Sequence, residues 1–137
     1  MEKTLAIIKP DAVRAGAIGN ILARIEKEGF RIAAMKMIYM TKAQAKGFYY
    51  VHKGKDFFED LTDFMSSGPC ITLILEADNA IDRWREVMGK TDPAIAAEGT
   101  LRKLYGANIQ NNATHGSDAT DTAAFETAYF FNALEGV

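Results

Sequence analysis

The chain contains few of the residues from which metal centres and disulfide frameworks are built. Cys70 is its single cysteine, which excludes an intramolecular disulfide and a cysteine-rich metal site. The two histidines, His52 and His115, belong to no H-E-x-x-H pattern, so a zinc hydrolase is disfavoured. The standard glycine-rich phosphate cradles, G-x-x-x-x-G-K-S/T and G-x-G-x-x-G, are also missing. Any binding of phosphate must therefore rely on individual cations.

Positive charge is not in excess either. Sixteen Lys and Arg residues face 18 Asp and Glu residues, giving a formal charge of −2, which disfavours nucleic acid as the main partner. No apolar run approaches the roughly 20 residues needed to cross a bilayer, and the start at Met1–Thr4 has no signal-peptide pattern. We therefore expect a cytoplasmic protein without membrane association. A length of 137 residues with 48% hydrophobic composition predicts one globular domain over residues 1–137.

The first third of the chain alternates between strand and helix patterns. Thr4–Ile8 is apolar on both faces, as expected for a central strand, and it leaves Lys9 at its carboxyl end. A lysine there is usually solvated, although ligand groups also occur at such ends. Apolar residues at helical spacing predict a helix over residues 17–28, ended by Gly29. A second strand over residues 30–40 would place five apolar residues on one face: Phe30, Ile32, Ala34, Ile38 and Met40. Lys36 interrupts that face, which indicates a bulge or an edge position.

Two short helices follow, each with a start signal of its own. Thr41 with Gln44 forms a capping box, and Asp56 with Glu59 resembles an acidic version of one. The second helix carries an apolar stripe of Phe57, Leu61 and Phe64. A stripe of this kind is more typical of a core than of a ligand platform.

The remaining segments complete an α+β pattern. Cys70–Leu75 predicts a third strand, Asp78 the cap of the next helix, and residues 89–112 a long loop of the kind that often carries function. A last helix spans residues 120–131, and the segment after it is a candidate for a short final strand. Without the inserted helical pair the order is βαββαβ, the split βαβ arrangement of ferredoxin-like folds with a four-stranded antiparallel sheet.

The stretch with the clearest chemical potential is Asn112–Asp118, which contains His115 and Gly116. Ser117 and Asp118 offer cap-type oxygens to the helix that follows. A surface histidine in a loop is the plain alternative. A neutral imidazole is nevertheless a nucleophile that can accept a phosphoryl group without first losing a proton. Glu126, eleven residues on, is a candidate to fix the ring tautomer, its alternative being a solvated helix residue. The available cations are Lys9, Arg85 and Arg102, with Lys53 and Lys55 as further candidates.

Several motifs in order make the chain resemble a nucleoside diphosphate kinase along nearly its whole length. The family signature Asn-x-x-His-Gly-Ser-Asp corresponds to residues 112–118, and Ile-Lys-Pro-Asp to residues 8–11. The other matching motifs are Phe48-Tyr49, Lys55–Phe58, Ser67–Pro69, Thr91–Pro93 and Gly99–Arg102. Each motif alone is weak, but all of them at family spacing are specific.

The resemblance implies a ping-pong transfer of the γ-phosphoryl group from a nucleoside triphosphate to a diphosphate through a phosphohistidine at His115, with little base selectivity. It implies further roles for other residues. Lys9, Arg85 and Arg102 would hold the phosphates, Thr91 would contact one of them, and Tyr49 would contact the phosphoryl group. Asn112 and Lys9 would bind sugar hydroxyls, Phe57 and Leu61 would form the base slot, and Ser117 and Glu126 would orient His115.

The resemblance also implies Mg²⁺ carried by the nucleotide phosphates, with no direct protein ligand and with Asp118 as a contact through water. It implies a homo-oligomer, a tetramer or hexamer built from dimers. Asp56 and Asp92 depart from the family pattern, and Asp92 adds a negative charge that should weaken nucleotide binding slightly. A catalytically silent nucleotide-binding module on the same fold is the main alternative, and it would not need His115.

Overall fold

The computed structural model describes residues 1–137 and contains four strands and seven α-helices. In chain order they are β1 (Glu2–Ile8), α1 (Pro10–Arg14), α2 (Ile18–Lys27), β2 (Arg31–Ile38), α3 (Lys42–Phe48), α4 (Phe58–Met65), β3 (Cys70–Ala77), α5 (Ala80–Met88), α6 (Leu101–Tyr105), β4 (Thr114–Gly116) and α7 (Thr120–Phe130). A 3₁₀ turn over Tyr50–His52 joins α3 to the segment before α4. None of the helices is long and apolar enough to cross a membrane.

The strands form one antiparallel sheet in the order β2-β3-β1-β4. Residues 5–8 of β1 are fully buried because a separate apolar cluster covers each face of the sheet. One cluster contains side chains from α2 and α5, including Trp84, and the other contains side chains from α3, α4 and the end of α7. The predicted ferredoxin-like α+β class, with its inserted helical pair and long loop, is confirmed.

The position of the fourth strand differs from the prediction. The strand precedes the last helix and contains His115 itself, paired with Ile7 of β1. After α7 the chain turns back to the sheet, and the Val137 N–H donates to the Ala33 carbonyl without forming a strand. Three residues are too few to show a period of two, so pairing with β1 defines this strand rather than its own pattern.

A bulge in β2 makes the single apolar face predicted for residues 30–40 wrong. Ile32 pairs with Leu75 and Ala34 with Ile74, so Ala33 is an extra residue. An extra residue reverses the side-chain alternation beyond it. Phe30 and Ile32, before the bulge, therefore lie with the Trp84 cluster. The three residues after it lie with the cluster on the opposite face of the sheet: Ala34, Ile38 and Met40. The expected bulge and edge position of this strand are both present.

The predicted helix caps have mixed outcomes. The Thr41–Gln44 capping box is formed, with bonds of 3.1 and 2.9 Å. The predicted cap at Asp56 is wrong, because α4 begins two residues later without a side-chain cap. Glu59 instead forms ion pairs with Lys42 and Lys46 across the helical pair.

Asp78 also fails to cap α5. The helix is preceded by Asn79 in the left-handed region, at φ 57°, and the Ile81 N–H donates to the carboxylate of Glu2 at 2.8 Å. Glu2 stands opposite Ala77 in the β1–β3 ladder, so the sheet register carries its carboxylate to the start of α5. The helix therefore receives its anionic partner from a distant strand.

Candidate active site

Strand β4 fixes His115 through the alternation of its side chains. His115 pairs with Ile7 and therefore faces the cluster formed by α3, α4 and α7. Gly116 faces the opposite side, where a Cβ would lie 2.5 Å from the Trp84 ring and 2.6 Å from Met88. The Trp84 indole N–H donates to the His115 carbonyl at 3.1 Å. Glycine after the histidine is thus required for the close approach of Trp84.

A hydrogen-bonded pair orients the imidazole. His115 Nε2 lies 2.7 Å from Glu126 Oε1, and the Ser117 hydroxyl donates to the same oxygen at 3.1 Å. The Ser117 hydroxyl also accepts the Leu5 N–H at 3.1 Å. Nε2 is directed at the carboxylate, whereas Nδ1 makes no hydrogen bond and is accessible to solvent. Nδ1 is therefore the ring nitrogen that is open to the cavity. The predicted contact between Glu126 and His115 is present, and Glu126 is not a solvated residue.

Ser117 and Asp118 do not cap the following helix as predicted. Ala119 occupies the N-cap position of α7, and its N–H donates to the Thr122 hydroxyl at 2.9 Å. Ser117 is fully buried in the histidine network, whereas the exposed Asp118 lies 3.9 Å from Arg85. The two polar residues therefore serve the site rather than the helix start.

Aromatic side chains from α3 and its end surround the imidazole. The Phe48 ring meets the His115 ring edge-on at 5.3 Å, and the Tyr49 ring does so at 6.3 Å. Tyr49 is buried with its hydroxyl unpaired. Burial, and secondly the nearby Glu126 carboxylate, raise the pKa of Tyr49, so its phenol remains protonated and available as a donor.

Lys9 is buried rather than solvated. Its ammonium donates to Asn112 Oδ1 at 2.8 Å, and the Asn112 amide donates to the Thr91 carbonyl at 3.1 Å. Burial, and then the positive charge of Arg102, lower the pKa of Lys9 to about 7. This chain of contacts links the end of β1 to the long loop.

Sequence reasoning assigned no role to Asp11, which supports the backbone before the histidine. Its carboxylate accepts the Ala113 N–H at 3.1 Å. Ala113 has φ 74°, a left-handed conformation that is unfavourable for a residue with a Cβ and needs such support. The available signal was the position of Asp11 directly after Lys9 and Pro10, at the same strand end.

Arg102 tethers the loop to the histidine strand. Its guanidinium donates to the carbonyls of Gly89 and Thr114, both at 3.0 Å, and its buried Nε atom has no partner. Burial, and then the charge of Arg85, lower the pKa of Arg102 to about 10, so it remains charged near neutral pH. Arg85 lines a larger adjoining depression of about 920 Å³, which Arg102 and Thr91 also line.

One cavity of about 390 Å³ unites most of the residues that the sequence singled out. The expected residues in its wall are Lys9, Tyr49, Phe57, Leu61, Thr91, Arg102, Asn112, His115, Asp118 and Glu126. Ser117 does not line the cavity but contacts it indirectly, through its hydrogen bond to Glu126. Arg85 lines the adjoining depression, and Lys53 and Lys55 line neither space. The residues that sequence reasoning did not place here are Phe48, Val51, His52, Ile109, Gln110, Gly116 and Thr122.

The core interpretation of the apolar stripe holds for Phe64 and is wrong for Phe57. Phe64 is buried, whereas the Phe57 side chain is 47% exposed at the cavity mouth, with the partly buried Leu61 beside it. An aromatic face left open beside a cavity suits a flat ligand. The long loop supplies the exposed Ile109 to the same cavity.

The carboxylates of the site suit a metal brought by a ligand rather than a metal held by the protein. Only Asp118 and Glu126 line the cavity, and Glu126 is engaged with the histidine and Ser117. No group of three His, Cys, Asp or Glu side chains has the spacing of a metal cage.

Comparison of the sequence with known proteins identifies one family. The family model described as nucleoside diphosphate kinase matches residues 2–135. Over 135 residues, covering 98% of both chains, the sequence is 62% identical to the nucleoside diphosphate kinase of Syntrophotalea carbinolica. It is 57% identical to that of Desulfosudis oleivorans, covering 98% of this chain and 97% of the relative.

Solved structures give the same result. The Aquifex aeolicus nucleoside diphosphate kinase superposes with a TM-score of 0.98 at 45% identity, covering 99% of each chain. A halophilic nucleoside diphosphate kinase from Halobacterium salinarum, solved in complex with CDP, superposes with a TM-score of 0.95 at 37% identity, covering 99% of this chain and 91% of the other. Sequence, fold and cavity together place the chain in the nucleoside diphosphate kinase family.

Proposed function

We propose that the protein transfers the γ-phosphoryl group of a nucleoside triphosphate to a nucleoside diphosphate through a phosphohistidine at His115. The observation that carries this proposal is the imidazole held at Nε2 by Glu126, with Nδ1 open to a cavity that also contains Lys9 and Arg102. A nucleophile with a fixed tautomer beside two cations is the arrangement that covalent phosphoryl transfer requires. A silent nucleotide-binding module would need neither the free nitrogen nor the buried Ser117–Glu126 support.

The transfer proceeds in two opposite half-reactions. The Nδ1 lone pair of His115 forms a bond to the γ-phosphorus as the bond from phosphorus to the bridging β,γ-oxygen breaks, and the nucleoside diphosphate leaves. Glu126 accepts the Nε2 proton as a hydrogen bond and stabilises the positive charge that develops on the ring. Lys9, Arg102 and Arg85 offset charge on the phosphate oxygens, and the Tyr49 hydroxyl donates to the transferring group. A second nucleoside diphosphate reverses the sequence.

The nucleotide lies between the helical pair and the long loop. Phe57 stacks on the base, Leu61 lines the slot, and Ile109 of the long loop adds a further apolar side chain to the same cavity. Stacking accepts any base, so the mode predicts little selectivity. Asn112 and Lys9 bind the sugar hydroxyls, and Thr91 contacts a phosphate. The complex of the Halobacterium salinarum relative with CDP supports a nucleotide in this family fold.

Nucleotide kinases generally use a divalent cation, and we infer that here it is Mg²⁺ bound to the nucleotide phosphates. Asp118 is the cavity carboxylate with a free face, so it would hold the ion through water. The bound ion supplies neutralisation of phosphate charge. We also propose that residues 1–137 act as one domain and that it works in the cytoplasm, where nucleotides are abundant.

We further propose a homo-oligomer, a tetramer or hexamer built from dimers. The edge strand β2 leaves Met35, Met37 and the neighbouring Tyr39 between 51% and 64% exposed. An apolar unpaired strand edge is costly in water and favours pairing with another chain. The mass from light scattering would separate a dimer, a tetramer and a hexamer, and a monomeric mass would refute this part of the proposal.

The phosphoenzyme itself is the decisive experiment. Incubation with γ-labelled ATP should give an acid-labile, alkali-stable label that is discharged when a nucleoside diphosphate is added. The His115→Ala variant should bind nucleotide but remain unlabelled, whereas His52→Ala, which removes the other histidine, should still be labelled. Transfer by the His115→Ala variant at the wild-type rate would refute the mechanism.

A further inference from the structure

The two halves of the proposed nucleotide site belong to different parts of the fold. The base platform of Phe57 and Leu61 lies on the helical hairpin, which we define as residues 41–66, comprising α3, the 3₁₀ turn and α4. His115 and the cations Lys9 and Arg102 lie on the sheet and the loops. The seat of the hairpin on the sheet therefore sets the distance between the bound base and the imidazole.

A single hydrogen bond ties the hairpin to the rest of the molecule. The Tyr129 hydroxyl on α7 donates to the Gln44 carbonyl on α3 at 2.7 Å. All other hydrogen bonds and ion pairs of residues 41–66 lie within the hairpin or join it to the residue that follows. The rest of its contact with the sheet is apolar, and apolar burial has no preferred direction. The Tyr129 bond is therefore the directional contact that fixes where α3 lies along α7.

A glycine in α3 makes room for this contact. A Cβ at Gly47 would lie 2.4 Å from the Tyr129 hydroxyl and 3.3 Å from its Cζ atom. Glycine disfavours helix, so its presence inside α3 calls for a reason, and the close approach of Tyr129 supplies one. Replacement by alanine would displace either the hairpin or the tyrosine.

Helix α7 and the ring of Phe48 connect Tyr129 to the reacting histidine. Tyr129 stands three residues after Glu126 on α7. Its ring packs at 5.7 Å against Phe48, whose ring in turn meets His115 edge-on at 5.3 Å. The element that orients the imidazole is thus the element that holds the hairpin.

We propose that Tyr129 and Gly47 form an interhelical latch that seats the helical hairpin on α7, which makes Tyr129 a positioning residue for nucleotide substrates. The inference rests on the proposed placement of the base on Phe57. It predicts that loosening the latch impairs transfer from nucleotides, whose base must reach the platform. Transfer from a donor with no base should be unaffected, because the imidazole keeps its own supports.

The experiment compares two phosphoryl donors on the same variants. Second-order rate constants for phosphorylation of His115 are measured with ATP and with phosphoramidate, which has neither sugar nor base. With phosphoramidate the Nδ1–P bond forms as the donor's P–N bond breaks, and the leaving nitrogen takes a proton to depart as ammonia. The variants are Tyr129→Phe, which removes one oxygen atom, Gly47→Ala, and the two combined.

We expect Tyr129→Phe and Gly47→Ala each to lower the ATP constant about 5-fold or more, and to leave the phosphoramidate constant within about 2-fold. The combined variant should resemble Tyr129→Phe alone, because the added methyl group no longer meets the hydroxyl. Matched controls are Tyr105→Phe, a tyrosine of α6 whose hydroxyl makes no hydrogen bond, and Gly19→Ala, in α2 with no atom near the added Cβ. Both should retain wild-type constants.

Two results would overturn the latch. Parallel loss with both donors would mean that the tyrosine only maintains the general structure, and unchanged ATP constants would mean that the hairpin is seated without it. Failure of the proposed function is a separate result, since the wild-type protein would then take no label on His115 from ATP.

Discussion

The buried ammonium of Lys9 should make the stability of the protein rise with pH above neutrality, and one substitution should remove this dependence. Lys9 is 6% exposed, and burial together with Arg102 lowers its pKa from 10.5 to about 7. A lysine whose folded pKa is lowered binds fewer protons in the folded than in the unfolded state. Between pH 7 and 10.5 the stability of the wild-type protein should therefore rise with pH as far as this group is concerned. Lys9→Met keeps the length of the side chain and removes the charge.

The magnitude follows from the two pKa values. Integrating the linkage relation from pH 7 to 9.5 with pKa values of 10.5 and about 7 gives a gain of about 3 kcal/mol for the wild type relative to the variant. Loss of the Lys9–Asn112 hydrogen bond leaves a buried acceptor unpaired, which costs the variant about 1–3 kcal/mol at either pH. The variant should therefore be more stable than the wild type at pH 7, and this advantage should shrink by about 3 kcal/mol by pH 9.5, where the two proteins become similar in stability.

Urea denaturation of both proteins at a series of pH values measures this difference directly, because other groups titrate alike in the two proteins. The variant should also lose phosphoryl transfer at pH 7 and below, where the wild-type lysine supplies a cation to the site. A stability difference that changes by less than about 0.5 kcal/mol between pH 7 and 9.5 would show that Lys9 is not a desolvated cation. The electrostatic reasoning about the site would then be wrong.

Three further outcomes test separate parts of the site. Glu126→Gln should slow phosphorylation of His115 about 10–100-fold in single-turnover labelling, because the amide cannot stabilise charge on the ring. Gly116→Ala should destabilise the protein by about 1–3 kcal/mol in urea denaturation, because the added Cβ meets the Trp84 ring at 2.5 Å. Asp92→Asn should lower the KM for nucleotides up to about 2-fold, because it removes a negative charge near the phosphates. The asparagine keeps a side-chain oxygen that can accept the Ala94 N–H, as the Asp92 carboxylate does at 3.0 Å. An increase in that KM would show that the charge is not felt by the nucleotide.

The elements whose signals are local could be predicted from the sequence. The apolar periodicity of residues 17–28 and the Thr41–Gln44 box each involve neighbours in the chain, and each agrees with the structure. The stripe of residues 57, 61 and 64 was ambiguous, because periodicity alone does not say which end of a stripe is left open. The resemblance to the family singled out the candidate site residues, and the cavity brings all of them together except Ser117 and Arg85.

The features that could not be predicted depend on contacts between distant residues. Glu2 accepts the N–H of a residue 79 positions away, and the Ser117 hydroxyl accepts the Leu5 N–H across 112 positions. The bulge at Ala33 reverses the faces of β2 only through its register with β3. No local pattern marks such contacts, because sheet pairing creates them after the elements have formed.

A phosphoryl carrier that works in both directions needs the same imidazole geometry before and after loading, and the short strand β4 provides it. The carbonyl before His115, from Thr114, accepts the Arg102 guanidinium, and the carbonyl of His115 itself accepts the Trp84 indole N–H. Antiparallel pairing with β1 also holds the three residues of the strand, Thr114, His115 and Gly116. The backbone is thus fixed on both sides and one ring nitrogen is bound, so Nδ1 is the atom left free. A histidine in a mobile loop would have to be reordered in every half-reaction, and that ordering entropy would add to each barrier.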